Sequence, residues 1–273
     1  MKIIKFLIKY TVLLLISLIS LIPFYVLFFL SVTDPSVSFV DKVFLIPQLY
    51  FQNYIDAWET SKIGIAILNS LIITGGTVIL VCTLASMAGY TIARFKSKFN
   101  KAVLNILLIC MMIPGIINTV PLYTLMRQIN GINTRWAMIL VCTTNALPFA
   151  VFLYTNFIMA LPKEIEESAL IDGCSYFTAF FRVTYPLLKP VTSAVVIITG
   201  QAVWNNYGQA VFFLQEQSVR TVPIAVSMFF QQYGAKWNLM AAASVIGVLP
   251  VVITFLVFQK YFIKGLAAGS IKG

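Results

Sequence analysis

Six long stretches of the chain contain no charged residue and consist mainly of apolar side chains. They cover 10–33, 63–93, 102–126, 136–162, 190–215 and 237–259, and the shortest has 23 residues. About 20 residues suffice for a helix to cross a hydrocarbon core of about 30 Å. Backbone polar groups in lipid must be paired within their own segment, so each stretch is predicted to be a helix. The pattern therefore predicts an all-α integral membrane protein with six transmembrane helices, and 1–273 as one domain.

The first stretch has one property of a cleaved signal peptide, because Lys2, Lys5 and Lys9 precede it. However, its apolar run is longer than the usual 7–15 residues of such a peptide. No cleavage site of the small-x-small type follows before Asp34. We therefore predict that this segment is retained as the first helix.

The composition agrees with a membrane protein. Hydrophobic residues make up 60% of the chain and charged residues only 10%, against about 25% charged in a soluble domain. Of the 19 Lys and Arg residues, 13 fall in the segments that share a side with the N-terminus. The positive-inside rule then predicts that both termini lie in the cytoplasm, in a bacterial or archaeal cytoplasmic membrane. The basic excess indicates orientation, and we predict no binding of nucleic acid.

Asp, Glu, Lys and Arg are absent from all six stretches, and the chain contains no His. Proton- or sodium-coupled carriers usually place such residues or broken helices within the membrane, and a hydrolase needs an acid, a base or a metal cluster. We therefore expect no catalytic residue, no metal site and no cofactor bound by this chain. Its energy source is expected to be a partner protein.

Uncharged polar and aromatic side chains in the second, fourth and fifth stretches are candidates for a substrate pathway. Amides beside aromatic rings suit a neutral polyhydroxylated ligand, because rings cover C–H faces while amides bond to hydroxyls. Hydrogen bonding between helices is the alternative interpretation, and it is favoured for Asn69, Thr143 and Asn156 when each is taken singly. The candidates are Asn69, Asn145, Gln201, Trp204, Asn205, Asn206 and Tyr207.

The loop 161–189 between the fourth and fifth stretches gathers all four acidic residues predicted on the cytoplasmic side. Pro162 is typical of a helix start, and Gly173 is typical of the position just after a helix. The acids Glu164, Glu166 and Glu167 suit the first turn of that helix. The pattern predicts a short helix before Gly173 and a second one from Ser175 to about Tyr185. An amphipathic loop exposed to solvent is the alternative interpretation.

This loop resembles the EAA motif in the permease subunits of binding-protein-dependent ATP-binding-cassette (ABC) importers. The motif reads Glu-Ala-Ala, three residues, Gly, nine residues, Ile, one residue, Leu-Pro. The chain has Glu167-Ser168-Ala169, then Gly173, then Val183-Thr184-Tyr185-Pro186 in the same register. Ser, Val and Tyr replace Ala, Ile and Leu.

The resemblance covers most of the chain and is strongest with the carbohydrate permeases of the maltose-type group. The segment 84–95 is similar to the end of their second helix, and 265–273 is similar to the glycine-rich tail of their second permease. Trp204-Asn205-Asn206-Tyr207 resembles their Trp-Asn-Glu-aromatic element. Asn206 replaces the acid of that element.

The resemblance implies a type I ABC importer (MetI-like) permease fold. It implies a second permease, two ATPase subunits that bind ATP and Mg, and an extracellular sugar-binding protein, which the loops 34–62 and 216–236 would face. The cytoplasmic tail 263–273 is expected near the ATPase dimer. The loop 161–189 becomes the coupling loop, and the residues expected to couple to the ATPase are Glu164, Glu167, Ser168, Ala169, Asp172 and Gly173.

The function expected from these features is uptake of a sugar or oligosaccharide along a path formed with the second permease. Two alternatives remain at this point. One is an ABC permease for a solute other than a sugar, and the other is a carrier that works without an ATPase.

Overall fold

The computed structural model describes the backbone of residues 2–36, 49–231 and 236–270. It describes the side chains of residues 6–36, 49–230 and 236–256. Within these ranges every regular element is a helix. The helices are α1 (Lys2–Ser31), α2 (Gln52–Ser61), α3 (Ile63–Arg94), α4 (Lys98–Met111), α5 (Thr119–Gln128), α6 (Arg135–Ala160), α7 (Glu164–Ile171), α8 (Tyr176–Ala179), α9 (Tyr185–Leu187), α10 (Lys189–Trp204), α11 (Ala210–Phe213), α12 (Val222–Gln231) and α13 (Trp237–Ser270). A π-helical turn, Phe180–Thr184, joins α8 to α9. The predicted all-helical class is confirmed.

Four of the six predicted stretches are occupied by single long helices. The helices α1, α3, α6 and α13 are long and apolar enough to cross a membrane, and the bent pair Tyr176–Leu187 and Lys189–Trp204 adds a fifth if it counts as one span. The sequence predicted six helices, with a kink or a break expected at Pro114-Gly115, Pro148 and Pro250, and the structure interrupts two of the six stretches.

The third and fifth stretches are broken. Residues 112–118, which include Pro114 and Gly115, separate α4 from α5, so 102–126 is not one helix. In the fifth stretch α10 ends at Trp204, and a turn leads to the short helix α11, so 190–215 is not one helix either. Pro114 and Gly115 explain the first break, because Pro has no backbone N–H to donate and Gly has a low helix propensity.

The chain divides into two compact units, and the first comprises Met1–Gly64 and Ile224–Leu249. In this unit the end of α1 is held by amide side chains. Asn53 Nδ2 donates to Ser31 O at 3.0 Å and to Thr33 O at 2.8 Å, and Asn238 Nδ2 also donates to Thr33 O. These bonds satisfy carbonyls that a helix leaves unpaired at its C-terminal end. Before Tyr25 the described side chains of α1 are exposed.

The second unit comprises Ile65–Pro223 and Pro250–Gly273, and it contains the buried core formed by α3, α6 and α10. The backbones of α3 and α6 approach closely at Gly89. A Cβ atom built there would lie 2.8 Å from Cβ of Tyr154 and 3.0 Å from N of Thr155. Together with the fully buried Ala85, Gly89 forms the small-x-x-x-small contact expected between membrane helices.

The predicted tail 263–273 is helical as far as Ser270, and its last three residues lie outside the described part of the chain. Parts of the two loops expected to face a binding protein, 37–48 and 232–235, also lie outside it. Both short helices predicted in the loop 161–189 are present. The first is α7, and the second is the run of α8, the π-helical turn and α9.

Candidate functional site

The helix α7 at the centre of the loop 161–189 buries one of its acids, Glu166, and exposes its isoleucines. Glu166 is 6% exposed and Ala169 is 9% exposed, whereas Ile171 is 85% exposed. Ile165 is exposed as well. Residues three apart share one helix face, so Glu166 and Ala169 form the inner face. This arrangement reverses the usual one, in which apolar residues point inward.

Gly173 ends α7 in the way its sequence position predicted. Its φ angle is +87°, in the region that favours glycine. The amide of Gly173 donates to Leu170 O and the amide of Cys174 donates to Ala169 O, both at 3.0 Å. These two bonds are a Schellman motif, which satisfies the last carbonyls of the helix.

The inner face of α7 meets the last turn of α3 in a buried ion pair. Arg94 Nε lies 2.8 Å from Glu166 Oε2, and both side chains are 8% exposed. The Tyr90 hydroxyl donates to the other carboxylate oxygen, Oε1. Arg94 Nη2 also donates to Leu161 O at 3.5 Å. We call Tyr90, Arg94 and Glu166 the ionic cluster.

Aromatic rings cover the ionic cluster. The centroids of Tyr90 and Phe180 are 4.8 Å apart, and those of Phe95 and Tyr176 are 5.3 Å apart in an edge-on arrangement. Phe180 also contacts Phe181 and Tyr185. Such ring pairs each add about 0.5–1.5 kcal/mol beyond area burial. The second half of the loop is therefore packed on the same end of α3 that holds α7.

The residues expected to couple to an ATPase fall on two faces of α7. Ala169 is buried within this chain, so its small size serves the contact of α7 with its own protein. Ser168 is exposed and donates to Glu164 O at 2.7 Å. Sequence reasoning placed Glu166 among the acids but did not select it for the site. The exposed members are Glu164, Glu167, Ser168, Asp172 and Gly173.

A second polar cluster lies where the two broken stretches meet. Gln209 is 8% exposed, and its Oε1 accepts from Asn145 Nδ2 at 2.8 Å and from Asn206 Nδ2 at 3.4 Å. Its Nε2 donates to Gly115 O at 3.3 Å, in the break between α4 and α5. Irregular backbone at membrane depth is tolerated only inside protein or beside a water-filled cavity. Gln209 thus supplies a partner to a carbonyl that the break leaves free of helical bonding.

The structure brings together part of the predicted pathway set. Asn145 and Asn206 share Gln209, and Asn206 Nδ2 also lies 3.7 Å from Cys142 Sγ. Asn205 Nδ2 donates back to Gln201 O at 3.0 Å, and both side chains are exposed. Trp204 is buried and Tyr207 is half-buried. The predicted pathway set did not include Gln209, although this residue lies in the same uncharged stretch, 190–215.

Asn69 belongs to a different cluster, near the start of α3. Its Nδ2 donates to Ser218 O and Arg220 O, both at 3.0 Å, and its Oδ1 accepts from Arg135 Nε at 2.7 Å. The neighbouring Ser70 Oγ accepts from the amide of Val222 at 2.9 Å. These bonds agree with the structural interpretation of Asn69 that the sequence favoured.

Asn133 holds the same segment from the other side. Its Oδ1 accepts from the amides of Gln215 at 2.7 Å and Glu216 at 3.1 Å. The backbone amide of Asn133 donates to Phe213 O at 2.8 Å. We call Asn69, Ser70, Asn133 and Arg135 the amide cluster, and 215–222 the segment that it holds.

Comparison with known proteins identifies the family. Residues 83–267 match the family described as "Binding-protein-dependent transport system inner membrane component". The match covers more than half of the chain, including the loop 161–189 and both broken stretches. The chain belongs to this family, and it is a multi-pass membrane component of such a transport system.

Individual relatives agree with the family. The chain is 39% identical over 253 residues to the melibiose/raffinose/stachyose import permease protein MelC of Bacillus subtilis (strain 168), with 92% of this chain and 91% of that protein covered. It is 35% identical over 205 residues to the arabinooligosaccharides transport system permease protein AraQ of the same organism, with 75% and 72% covered.

A solved structure agrees with the fold. A chain from the crystal structure of a bacterial ABC transporter for import of the acidic polysaccharide alginate superposes with a TM-score of 0.82 at 18% identity. The superposition covers 95% of this chain and 96% of that chain. The predicted permease fold is therefore confirmed.

Proposed function

We propose that this chain is one of two permease subunits of an ATP-driven importer for a sugar or oligosaccharide delivered by an extracellular binding protein. The family membership and the relatives that import melibiose, raffinose, stachyose and arabinooligosaccharides support the substrate class. Two ATPase subunits supply the energy and bind the ATP and Mg. Both termini lie in the cytoplasm of the bacterial or archaeal cell, as the distribution of Lys and Arg favours.

The observation that carries the coupling role is the outward face of α7. This face presents Ile171, which is 85% exposed, beside the exposed carboxylates of Glu164 and Glu167. Protein contact sites have an apolar centre with a polar rim, and this face of α7 has the same order of side chains. The proposal assigns this face to an ATPase groove, with Glu167 making a polar or ionic contact to the ATPase.

The pathway role falls on the polar cluster around Gln209. Its amides exchange hydrogen bonds among themselves and with Gly115 O, and a sugar hydroxyl can replace an amide in such a set because it both donates and accepts. The exposed Gln201 and Asn205 continue the polar surface along the end of α10. A path lined in this way suits a neutral, polyhydroxylated solute.

Uptake into proteoliposomes tests the proposal. The transporter, assembled with its second permease and ATPase, is reconstituted, and entry of radiolabelled melibiose, raffinose, stachyose and an arabinooligosaccharide is measured with and without internal ATP. We expect ATP-dependent entry of at least one sugar in the presence of the binding protein. Entry without ATP would indicate a carrier, and ATP-dependent entry of peptides alone would indicate a permease for another solute.

Three variants test the roles of the named residues. Glu167→Lys reverses a charge on the exposed face of α7 and should abolish stimulation of ATP hydrolysis by sugar while membrane insertion continues. Asn205→Ala and Trp204→Ala should change the uptake rate or the range of sugars accepted. Lys98→Gln, which neutralises an exposed charge outside the loop 161–189 and outside the loops expected to face the binding protein, is the control and should behave as the wild type.

A further inference from the structure

The ionic cluster places two charges where the fold does not need charges for stability. Removing a carboxylate and a guanidinium from water is costly, and a well-packed apolar pair of the same volume is often as stable or more stable. Arg94 and Glu166 nevertheless have side chains that are 8% exposed. An ion pair fixes the relative orientation of its two side chains, because its hydrogen bonds form in few geometries. An apolar pair does not.

The geometry of the cluster fixes α7 against two movements. Each carboxylate oxygen of Glu166 has its own donor, Arg94 Nε on Oε2 and the Tyr90 hydroxyl on Oε1. Rotation of α7 about its axis breaks both bonds at once. Sliding of α7 along its axis would break these bonds as well. It would also break the bond from Arg94 to Leu161 O, which lies just before α7 begins.

The exposed residues lie on the opposite side of the same two-turn helix. Glu167 follows Glu166 directly, so its side chain points about 100° away around the helix axis. A force applied to the exposed face of α7 is therefore transmitted to the ionic cluster through one or two turns of helix backbone. The Schellman motif at Gly173 and the rings around Phe180 close the other end of the loop.

We propose that Tyr90, Arg94 and Glu166 are positioning residues for energy coupling: they make α7 and α3 move as one body, so that movement of the ATPase is transmitted to α3. This inference rests on the proposed function, in which an ATPase binds the exposed face of α7. It assigns a transport role to three residues that lie within the chain and do not belong to that exposed face.

The test compares three variants of the assembled transporter, and each measured rate is divided by the amount of assembled complex. Glu166→Gln keeps the shape and removes the charge. Tyr90→Phe removes one hydroxyl. Arg94→Met with Glu166→Leu replaces the pair by apolar side chains that keep the loop packed. For each, proteoliposomes give the number of raffinose molecules imported per ATP hydrolysed, with raffinose-loaded binding protein outside. Lys98→Gln, which neutralises an exposed charge at the start of α4, is the control.

We expect the imported raffinose per ATP to fall about tenfold in Glu166→Gln, within the usual range of coupling between sites. The apolar double variant should assemble at the wild-type level and still show the low ratio. Tyr90→Phe should show a smaller fall of about threefold, the loss of one hydrogen bond. Lys98→Gln should keep the wild-type ratio.

Two results would overturn the inference. One is a wild-type ratio in the apolar double variant, because the pair would then serve packing alone. The other is a wild-type ratio in both Tyr90→Phe and Glu166→Gln. If the double variant does not assemble, these two single changes decide.

The same assay separates this inference from the proposed function. If Glu167→Lys uncouples transport while the ionic-cluster variants keep the wild-type ratio, the ATPase contact stands and the positioning role is wrong. If binding protein fails to stimulate ATP hydrolysis in the wild type itself, the proposed function is wrong.

Discussion

The two ends of α3 each hold another part of the second unit, and they do so by different chemistry. At the Asn69 end, the amide cluster binds mainly backbone groups, the carbonyls of Ser218 and Arg220 and the amide of Val222. At the Arg94 end, the ionic cluster binds one carboxylate, that of Glu166. Any residue offers a backbone carbonyl, so the segment 215–222 can change its side chains and stay attached. The ionic contact of the loop 161–189 depends on the side chain of one residue, Glu166.

The largest expected effect is at the ionic end. Arg94→Ala leaves the Glu166 carboxylate buried without its guanidinium, and breaking a buried pair in this way costs about 3–5 kcal/mol. Equilibrium unfolding of the purified chain in mixed dodecylmaltoside–SDS micelles measures the loss. Trypsin should cut after Lys163 and Arg182 faster, because the loop detaches.

The control for Arg94→Ala is Lys98→Ala, which removes an exposed charge at the start of α4. It should leave the free energy of unfolding and both cleavage rates unchanged. Equal losses in the two variants would show that the charge acts without the ion pair.

A smaller loss is expected at the amide end. Asn69→Leu keeps the volume but removes three hydrogen bonds, including one from Arg135. Unpaired buried groups cost about 1–3 kcal/mol each, partly relieved by water, and we expect a loss of about 2–3 kcal/mol. Trypsin cleavage after Arg220 should accelerate while cleavage after Lys163 stays at the wild-type rate. Faster cleavage at both places would mean that the two ends of α3 do not act separately.

The stop at Gly173 contributes less. Gly173→Ala forces a Cβ into a left-handed backbone conformation with φ of +87°, at a cost of about 1–2 kcal/mol. Open space around the residue limits the loss to the backbone. Gly75→Ala is the matched control, because Gly75 lies in open space inside α3 and Ala there should stabilise the helix by up to about 1 kcal/mol. A loss in both variants would contradict this reasoning.

The smallest effect concerns a single hydroxyl. Ser70→Ala removes the acceptor of the Val222 amide, and we expect a loss of about 1 kcal/mol. Ser193 Oγ bonds only to the carbonyl of Lys189, four residues earlier in its own helix, so Ser193→Ala should cost nothing measurable. The same micelle unfolding experiment ranks the two, and an equal effect would remove Ser70 from the amide cluster.

Long apolar runs without charge were sufficient to locate four helices. The run 63–93 differs by one residue from α3, and 136–162 differs by two at most from α6. Hydropathy alone did not locate the breaks, because residues 112–118 and 205–209 are as uncharged as the helices beside them. Pro114-Gly115 was the visible signal for the first break. The second rests on Asn206 and Gln209, whose hydrogen bonds form only in the folded chain.

The ionic cluster was beyond sequence reasoning for a physical reason. Four acids stand in the loop 161–189, and no feature of the neighbouring sequence distinguishes Glu166 from the other three. The structure buries Glu166 and exposes Ile171, because the charge of Arg94 at the end of another helix compensates the carboxylate. A residue 72 positions away in the chain decides which acid is buried, and no local pattern contains that information.

The attachment points at both ends of α3 also restrict how the gene can change. Asn69 and Arg94 are 25 residues apart, which corresponds to about 37 Å of helix. One inserted or deleted residue between Ser70 and Tyr90 would turn one end by about 100° relative to the other, and the two clusters would no longer form together. Descendants of this gene can lengthen the connections around α3, but they must conserve the residue count within it.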